Sequence, residues 1–153
     1  MLYATTRLLV KEEAMKPVQA ASVTREVVLE APRHEVWRAL TEAEKLQEWF
    51  ANEVELDPRP GGAGVFRWGD GSARWATVET VELERRLGFQ WREETGTAST
   101  AVEITLEDDA GGTRVRVTES LPRASASQAL VGEWSWGIEL LAALPRLRRL
   151  VLA

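Results

Sequence analysis

From residue 22 onward apolar and polar residues alternate, and a period of two predicts strands. Ser22 to Glu30 is rich in Val and Thr, with Val23, Val27 and Leu29 on one face. Ala31-Pro32 stops that run. Pro32 suits the first turn of a helix, where its missing N–H would be unpaired anyway. Val36, Trp37 and Leu40 follow at helical spacing. Thr41-Glu42-Ala43-Glu44 has the form of a capping box, in which the Thr41 hydroxyl accepts from the Glu44 N–H. It predicts a second short helix that buries Leu46, Trp49 and Phe50.

Strands and turns fill the next seventy or so residues. Val54 and Leu56 alternate with acidic residues, and Pro58-Arg59-Pro60-Gly61-Gly62 is a turn. Val65 to Trp68 is a strand closed by the hairpin signal Gly69-Asp70-Gly71. Arg74 to Leu83 is the next, and its apolar parity shifts between Val78 and Val81, which predicts a bulge. Leu87, Phe89 and Trp91 alternate, as do Thr100, Val102, Ile104 and Leu106. Asp108-Asp109-Ala110-Gly111-Gly112 turns the chain, and Val115 and Val117 continue on a last strand.

Pro122 ends the sheet, and Ser125-Ala126-Ser127-Gln128 caps a long helix. Leu130, Trp134, Ile138 and Leu141 share one helical face, while Trp136, Leu140, Leu144 and Leu147 share the opposite one. Pro145 kinks or ends that helix. Residues 1–21 show no alternation and form an N-terminal arm, either mobile or docked as a short helix. Residues 22–153 form one domain, and 153 residues suffice for an unstapled core. The expected class is α+β: a curved antiparallel sheet of six to seven strands wrapped round a long C-terminal helix, with two short helices after the first strand.

Composition narrows the chemistry. Cysteine is absent, which removes disulfides, thiolate nucleophiles and Cys-based metal sites. His34 is the single histidine, so a Ser/His/Asp triad or a multi-histidine metal centre has no basis, and its place beside Arg33 and Glu35 puts it on the surface. The Asp108-Asp109 pair reads as a turn rather than a metal site. The net charge of −5 argues against a nucleic-acid grip. No stretch is long and apolar enough to span a bilayer, and no secretory signal is visible, so a cytoplasmic protein is expected. Nothing in the sequence implies a cofactor.

The segment Val27-Val28-Leu29-Glu30-Ala31-Pro32-Arg33-His34-Glu35-Val36-Trp37-Arg38-Ala39-Leu40-Thr41 resembles the opening of the START-like, or SRPBCC, superfamily. The likeness is to the group related to the C-terminal domain of the activator of the heat-shock chaperone ATPase. Leu46 to Phe50, the Gly61-Gly62 turn, Leu87-Gly88-Phe89-Gln90-Trp91 and Thr113 to Ser120 also match, as do Trp134, Ile138 and Leu141. The resemblance covers residues 22–145 or so. Leu121 and Glu133 depart from it, each standing where glycine is common. The resemblance implies a helix-grip fold with a deep apolar cavity. Members bind lipids, sterols, polyketides and other hydrophobic molecules, and a minority are cyclases, aromatases or hydrolases.

Seven tryptophans against three phenylalanines and one tyrosine mark the candidate site. Phe66, Trp68, Phe89 and Trp91 on adjacent strands would make an aromatic wall for a flat apolar ligand, with ordinary core packing as the alternative. Trp75, Val102, Ile104 and Val117 extend the expected lining, Trp37 and Trp49 plug its end, and Trp134, Ile138 and Leu141 close it from the last helix. Glu119 shares the inward parity of Val117. Desolvation there would favour its protonated form, which suits an acid or base, and Arg67 and Glu79 are its candidate partners. Trp136, Leu140, Leu144 and Leu147 would form an apolar stripe covered by a second copy of the chain or by residues 1–15.

The expected function is binding of a small hydrophobic or amphipathic molecule. The alternatives are a cyclase- or hydrolase-type enzyme acting on a hydrophobic substrate, and a chaperone-related partner-binding module.

Overall fold

The computed structural model describes residues 22–96 and 98–121. The N-terminal arm and the long last helix lie outside those residues. So do Trp134, Ile138 and Leu141 and the dimer stripe of Trp136, Leu140, Leu144 and Leu147.

Within them, β1 (Ser22–Leu29) leads into α1 (Arg33–Thr41) and α2 (Ala43–Trp49). Six strands follow: β2 (Glu53–Leu56), β3 (Ala63–Arg67), β4 (Ala73–Glu82), β5 (Arg86–Glu93), β6 (Ser99–Asp109) and β7 (Gly112–Ser120). They form one antiparallel sheet in the order β1-β7-β6-β5-β4-β3-β2. β2 to β7 are a simple meander, as turn signals at short intervals require. β1 joins the far edge beside β7, so the chain must travel the width of the sheet before β2. The helix pair makes that journey: α1 packs near β6 and β7, and α2 against β2.

Period two decides which side chains are buried. Phe66, Val78, Leu87, Phe89, Trp91, Val102, Ile104, Leu106, Val115 and Val117 are buried on one face, together with Val36, Leu40, Leu46 and Trp49 from the helices. The bulge falls between Val78 and Thr80, where the parity shift predicts it. Two indole N–H groups lock the helices to their surroundings. Trp49 Nε1 donates to the Ala39 carbonyl at 2.8 Å and ties α2 to α1. Trp68 Nε1 donates to the Phe50 carbonyl at 3.0 Å and ties the end of β3 to the end of α2.

The capping box does not form. α1 runs through Thr41, whose hydroxyl donates to the Trp37 carbonyl at 2.8 Å, one turn back along its own helix. Glu42 takes the N-cap position of α2, with no side-chain cap. A hydroxyl inside a helix end has a local carbonyl closer than the next helix's N–H, and that contact wins.

Candidate functional site

The aromatic residues converge. Phe50 follows α2, Phe66 lies on β3, and Phe89 and Trp91 lie on β5. Phe50 stacks on Trp91 with ring centroids 6.1 Å apart, and Phe66 meets Trp91 edge-on at 5.8 Å. Phe89 meets Trp91 edge-on at 5.4 Å, and Trp68 meets Phe50 in the same way. Offset and edge-on contacts are those the ring quadrupole favours. Trp91 thus touches Phe50, Phe66 and Phe89 in one cluster.

Trp91 also holds the polar part of this face. Register places Thr100 directly opposite Trp91, and Glu119 opposite Val102. Two residues along a strand share a face, so Thr100 and Glu119 are diagonal neighbours beside the indole. Trp91 Nε1 donates to Glu119 Oε2 at 3.0 Å, and the Thr100 hydroxyl donates to the same oxygen. Glu119 is 0% exposed.

On the other side of Trp91 lies Arg74, 1% exposed. Register sets Ala76 opposite Trp91, which makes Arg74 its diagonal neighbour on β4. The guanidinium carbon stands 4.9 Å from the Trp91 ring centroid, within cation–π range. Arg74 also lies 3.9 Å from Glu93, a half-exposed carboxylate. Glu93 lines a surface pocket of about 220 Å³, bounded by the Gly71–Ala73 and Glu93–Thr95 segments. A path of charge thus leads from the surface to the buried face.

Several expected site residues lie together: Phe66, Phe89, Trp91, Val102, Ile104, Val117 and Glu119 are buried on this face, and Trp68 is partly buried against it. Trp37 and Trp49 are buried at the helix end. Trp75 is not part of the group. It is 42% exposed on the outer face, and its Nε1 donates to Glu94 at 3.2 Å. The reason is parity: Arg74, Ala76 and Val78 point inward on β4, so Trp75 must point outward.

Arg67 and Glu79 do not meet Glu119. Arg67 stands on the outer face with Glu94 at 3.5 Å. Glu79, beside the bulge, is exposed and accepts from Gln90 at 3.0 Å. An acid–base pair built from either of them with Glu119 does not converge. His34 is exposed. Among the described residues no group of His, Asp and Glu is placed to hold a metal ion, and no helix is long and apolar enough to cross a membrane.

Sequence reasoning missed Arg74. Its signal was the inward parity it shares with Ala76 and Val78.

A seven-stranded antiparallel sheet with two short helices after its first strand, and a buried face of aromatic rings, is the arrangement of the SRPBCC class. The chain belongs to the family described as activator of Hsp90 ATPase homolog 1-like protein, whose sequence profile matches residues 30–143.

Solved structures share the fold. DynU16, from the dynemicin biosynthetic locus, is 28% identical with a TM-score of 0.68; the match covers 84% of this chain and 46% of DynU16. This chain therefore spans less than half of that protein. MLL2253 from Mesorhizobium loti is 23% identical with a TM-score of 0.67, covering 82% of this chain and 95% of its own. Ms6760 from Mycobacterium smegmatis is 17% identical with a TM-score of 0.70, covering 88% and 92%. Comparison with curated proteins found no match.

Proposed function

We propose that the protein binds a small hydrophobic or amphipathic molecule between the buried face of the sheet and the last helix. The observation that carries this reading is the aromatic cluster around Trp91, which offers flat apolar surface at low entropic cost. Phe66, Phe89 and Trp91 would face the ligand's apolar body. Val102, Ile104 and Val117 would extend that surface, and Trp134, Ile138 and Leu141 would close over it. Trp37 and Trp49 would seal one end. The family match supports the fold this needs.

The test is a thermal-shift screen of the full chain against fatty acids, sterols and aromatic polyketides, with native mass spectrometry on any compound that stabilises. A ligand at a hundred times its Kd stabilises by about 2.7 kcal/mol, which in a domain of this size is a rise of about 5–10 °C in Tm. Silence across all three classes overturns the reading.

A further inference from the structure

We infer that the outer face of the sheet carries a binding site for a neutral oligosaccharide, with Trp75 as the platform on which one sugar ring lies. Trp75 faces away from the aromatic cluster around Trp91, so this site does not rest on the ligand-binding reading.

Trp75 is exposed, yet its ring is held. Its Nε1 donates to Glu94 Oε2 at 3.2 Å, and Arg67 Nη1 reaches the same oxygen at 3.5 Å. Register sets Val65 directly opposite it on β3 and Arg92 directly opposite on β5. Arg67 on β3, and Gln90 and Glu94 on β5, are its diagonal neighbours on the same face. An oriented indole is thus ringed by side chains that donate and side chains that accept. Two surface pockets adjoin it. One, of about 250 Å³, is lined by Gln47, Glu53, Val54, Glu55, Val65 and Arg67. The other, of about 220 Å³, includes Glu94. The Arg67–Glu94 ion pair beside Trp75 joins the two.

The rim selects the occupant. Arg67 and Arg92 are positive while Glu94, Glu53 and Glu55 are negative, so no single sign prevails round the ring. A nucleotide would need a cationic rim and a polyamine an acidic one. Sugar hydroxyls are neutral, and each both donates and accepts, which suits a rim of both kinds. The C–H face of a pyranose is apolar and slightly positive, which suits the negative face of an indole. A protein partner fits less well, because a stable interface covers about 800 Å² per partner round an apolar centre. Among the described residues the other large hydrophobics that are exposed, Val28 and Leu83, lie on β1 and past the far end of β4. Trp75 therefore lacks the apolar surroundings that a protein anchor needs. With one pocket at Arg67 on the β3 side and another at Glu94 on the β5 side, a chain of several sugar units fits better than a single ring.

The test titrates cellotetraose, chitotetraose and maltotetraose into the isotope-labelled full chain, followed by NMR, with adenosine monophosphate and spermidine as charged comparators. At least one tetrasaccharide should shift the Trp75 indole signal and the Val65 and Arg92 amides saturably, with a Kd on the order of 1 mM. Its monosaccharide should bind more weakly, and neither charged comparator should match it. Trp75→Ala should weaken binding at least about tenfold, read from the Val65 and Arg92 amides. Trp75→Tyr, which keeps a flat ring, should retain binding within about fivefold. Should Trp75→Ala fail to fold, the tyrosine variant and the wild-type titrations decide.

If no tetrasaccharide moves these signals, the site is overturned. Shifts confined to the Trp91 and Trp49 indoles place the sugar on the inner face and overturn it too. Undiminished binding in a folded Trp75→Ala variant, or loss of binding in a folded Trp75→Tyr variant, overturns the role of the ring as a platform. Equal or tighter binding of adenosine monophosphate or spermidine at Trp75 overturns the choice of a neutral sugar. None of these outcomes touches the ligand-binding reading, which concerns the opposite face.

Discussion

The indole nitrogen of Trp91 donates to Glu119 Oε2 across 3.0 Å, and neither side chain is more than 1% exposed. Glu119 accepts from Thr100 as well, so one carboxylate oxygen serves two buried donors on two different strands. Removing the acceptor costs more than a contact, because buried donors lose their partner. Glu119→Ala should therefore destabilise by about 2–4 kcal/mol in urea unfolding. Glu119→Gln keeps an acceptor oxygen and should cost clearly less. Equal losses for the two variants would show that the charge, rather than the acceptor, holds the site.

A second buried hydroxyl sews the start of the helix pair to the sheet. Thr113 on β7 is 0% exposed and donates to the Ala31 carbonyl at 2.7 Å. Ala31 lies in the bend between β1 and α1, where regular strand pairing has ended. Thr113→Val keeps the shape and removes the donor. A loss of about 1–2 kcal/mol is expected from the midpoint of chemical unfolding, with the m-value unchanged.

Most of the strand pattern was legible because one face of the sheet is buried. Burial on one side forces period-two alternation, and Leu87, Phe89 and Trp91 or Val102, Ile104 and Leu106 follow it without interruption. Even the bulge could be read, since Val78 and Val81 need an extra residue between them to face the same way. The site was less legible. Trp75 looks like lining by residue type, yet parity sends it outward, while Arg74 looks like a surface residue and is buried. Arg74 lies against Trp91 and Glu93 on another strand, and pattern along one strand carries no information about such neighbours. The Thr41–Glu44 motif failed for a related reason. A short string states which bonds are feasible, and the path of α1 through Thr41 decided which one formed.

The β6–β7 hairpin closes through Ala110 and Gly111, whose φ angles are +48° and +88°. Positive φ at both central residues is the pattern of a two-residue type I′ turn, in which Asn-Gly is preferred. Glycine meets the requirement at the second position, but alanine at the first carries a Cβ into the left-handed region. Ala110→Asn should raise stability by up to about 1 kcal/mol, because a left-handed alanine costs roughly 1–2 kcal/mol and asparagine tolerates that region better. Differential scanning calorimetry checks this, and an unchanged or lower Tm would mean that the turn bears no strain.

Close approach matters more at the β2–β3 turn. A Cβ on Gly62 would lie 2.1 Å from the Asp57 carbonyl oxygen and 2.9 Å from that of Arg59. Both are backbone atoms, so no side chain can swing away. Gly62 also exchanges backbone hydrogen bonds with this neighbourhood, donating to the Arg59 carbonyl and accepting from the Val78 N–H. Gly62→Ala should therefore cost at least about 1–3 kcal/mol, as overpacking does. Gly61→Ala separates the two reasons for glycine here. That site has open space but a φ of +87°, so its penalty is conformational alone and should be the smaller of the two.

Acid sensitivity should have a local component in the hairpin turns. Asp70 Oδ1 accepts from the Ser72 hydroxyl at 2.6 Å and from the Ser72 N–H at 2.8 Å, and these bonds hold its carboxyl below the usual carboxylate range. The Arg59 guanidinium, bonded to both oxygens of Asp57, lowers that group in the same way. A carboxyl whose folded value lies below its unfolded value binds protons more readily in the unfolded chain. Its contribution is complete above the unfolded value, near pH 4, and is lost as pH falls through the folded value. Both side chains are exposed to solvent, so each contribution is small and weakens with added salt. Asp70→Asn removes the titration and keeps an acceptor for Ser72. The variant's Tm should therefore fall less steeply than the wild type's from about pH 5 down to about pH 2, while the two curves run parallel near neutrality. Parallel curves across the whole acid limb would mean that the Ser72 bonds survive protonation and carry no pH dependence.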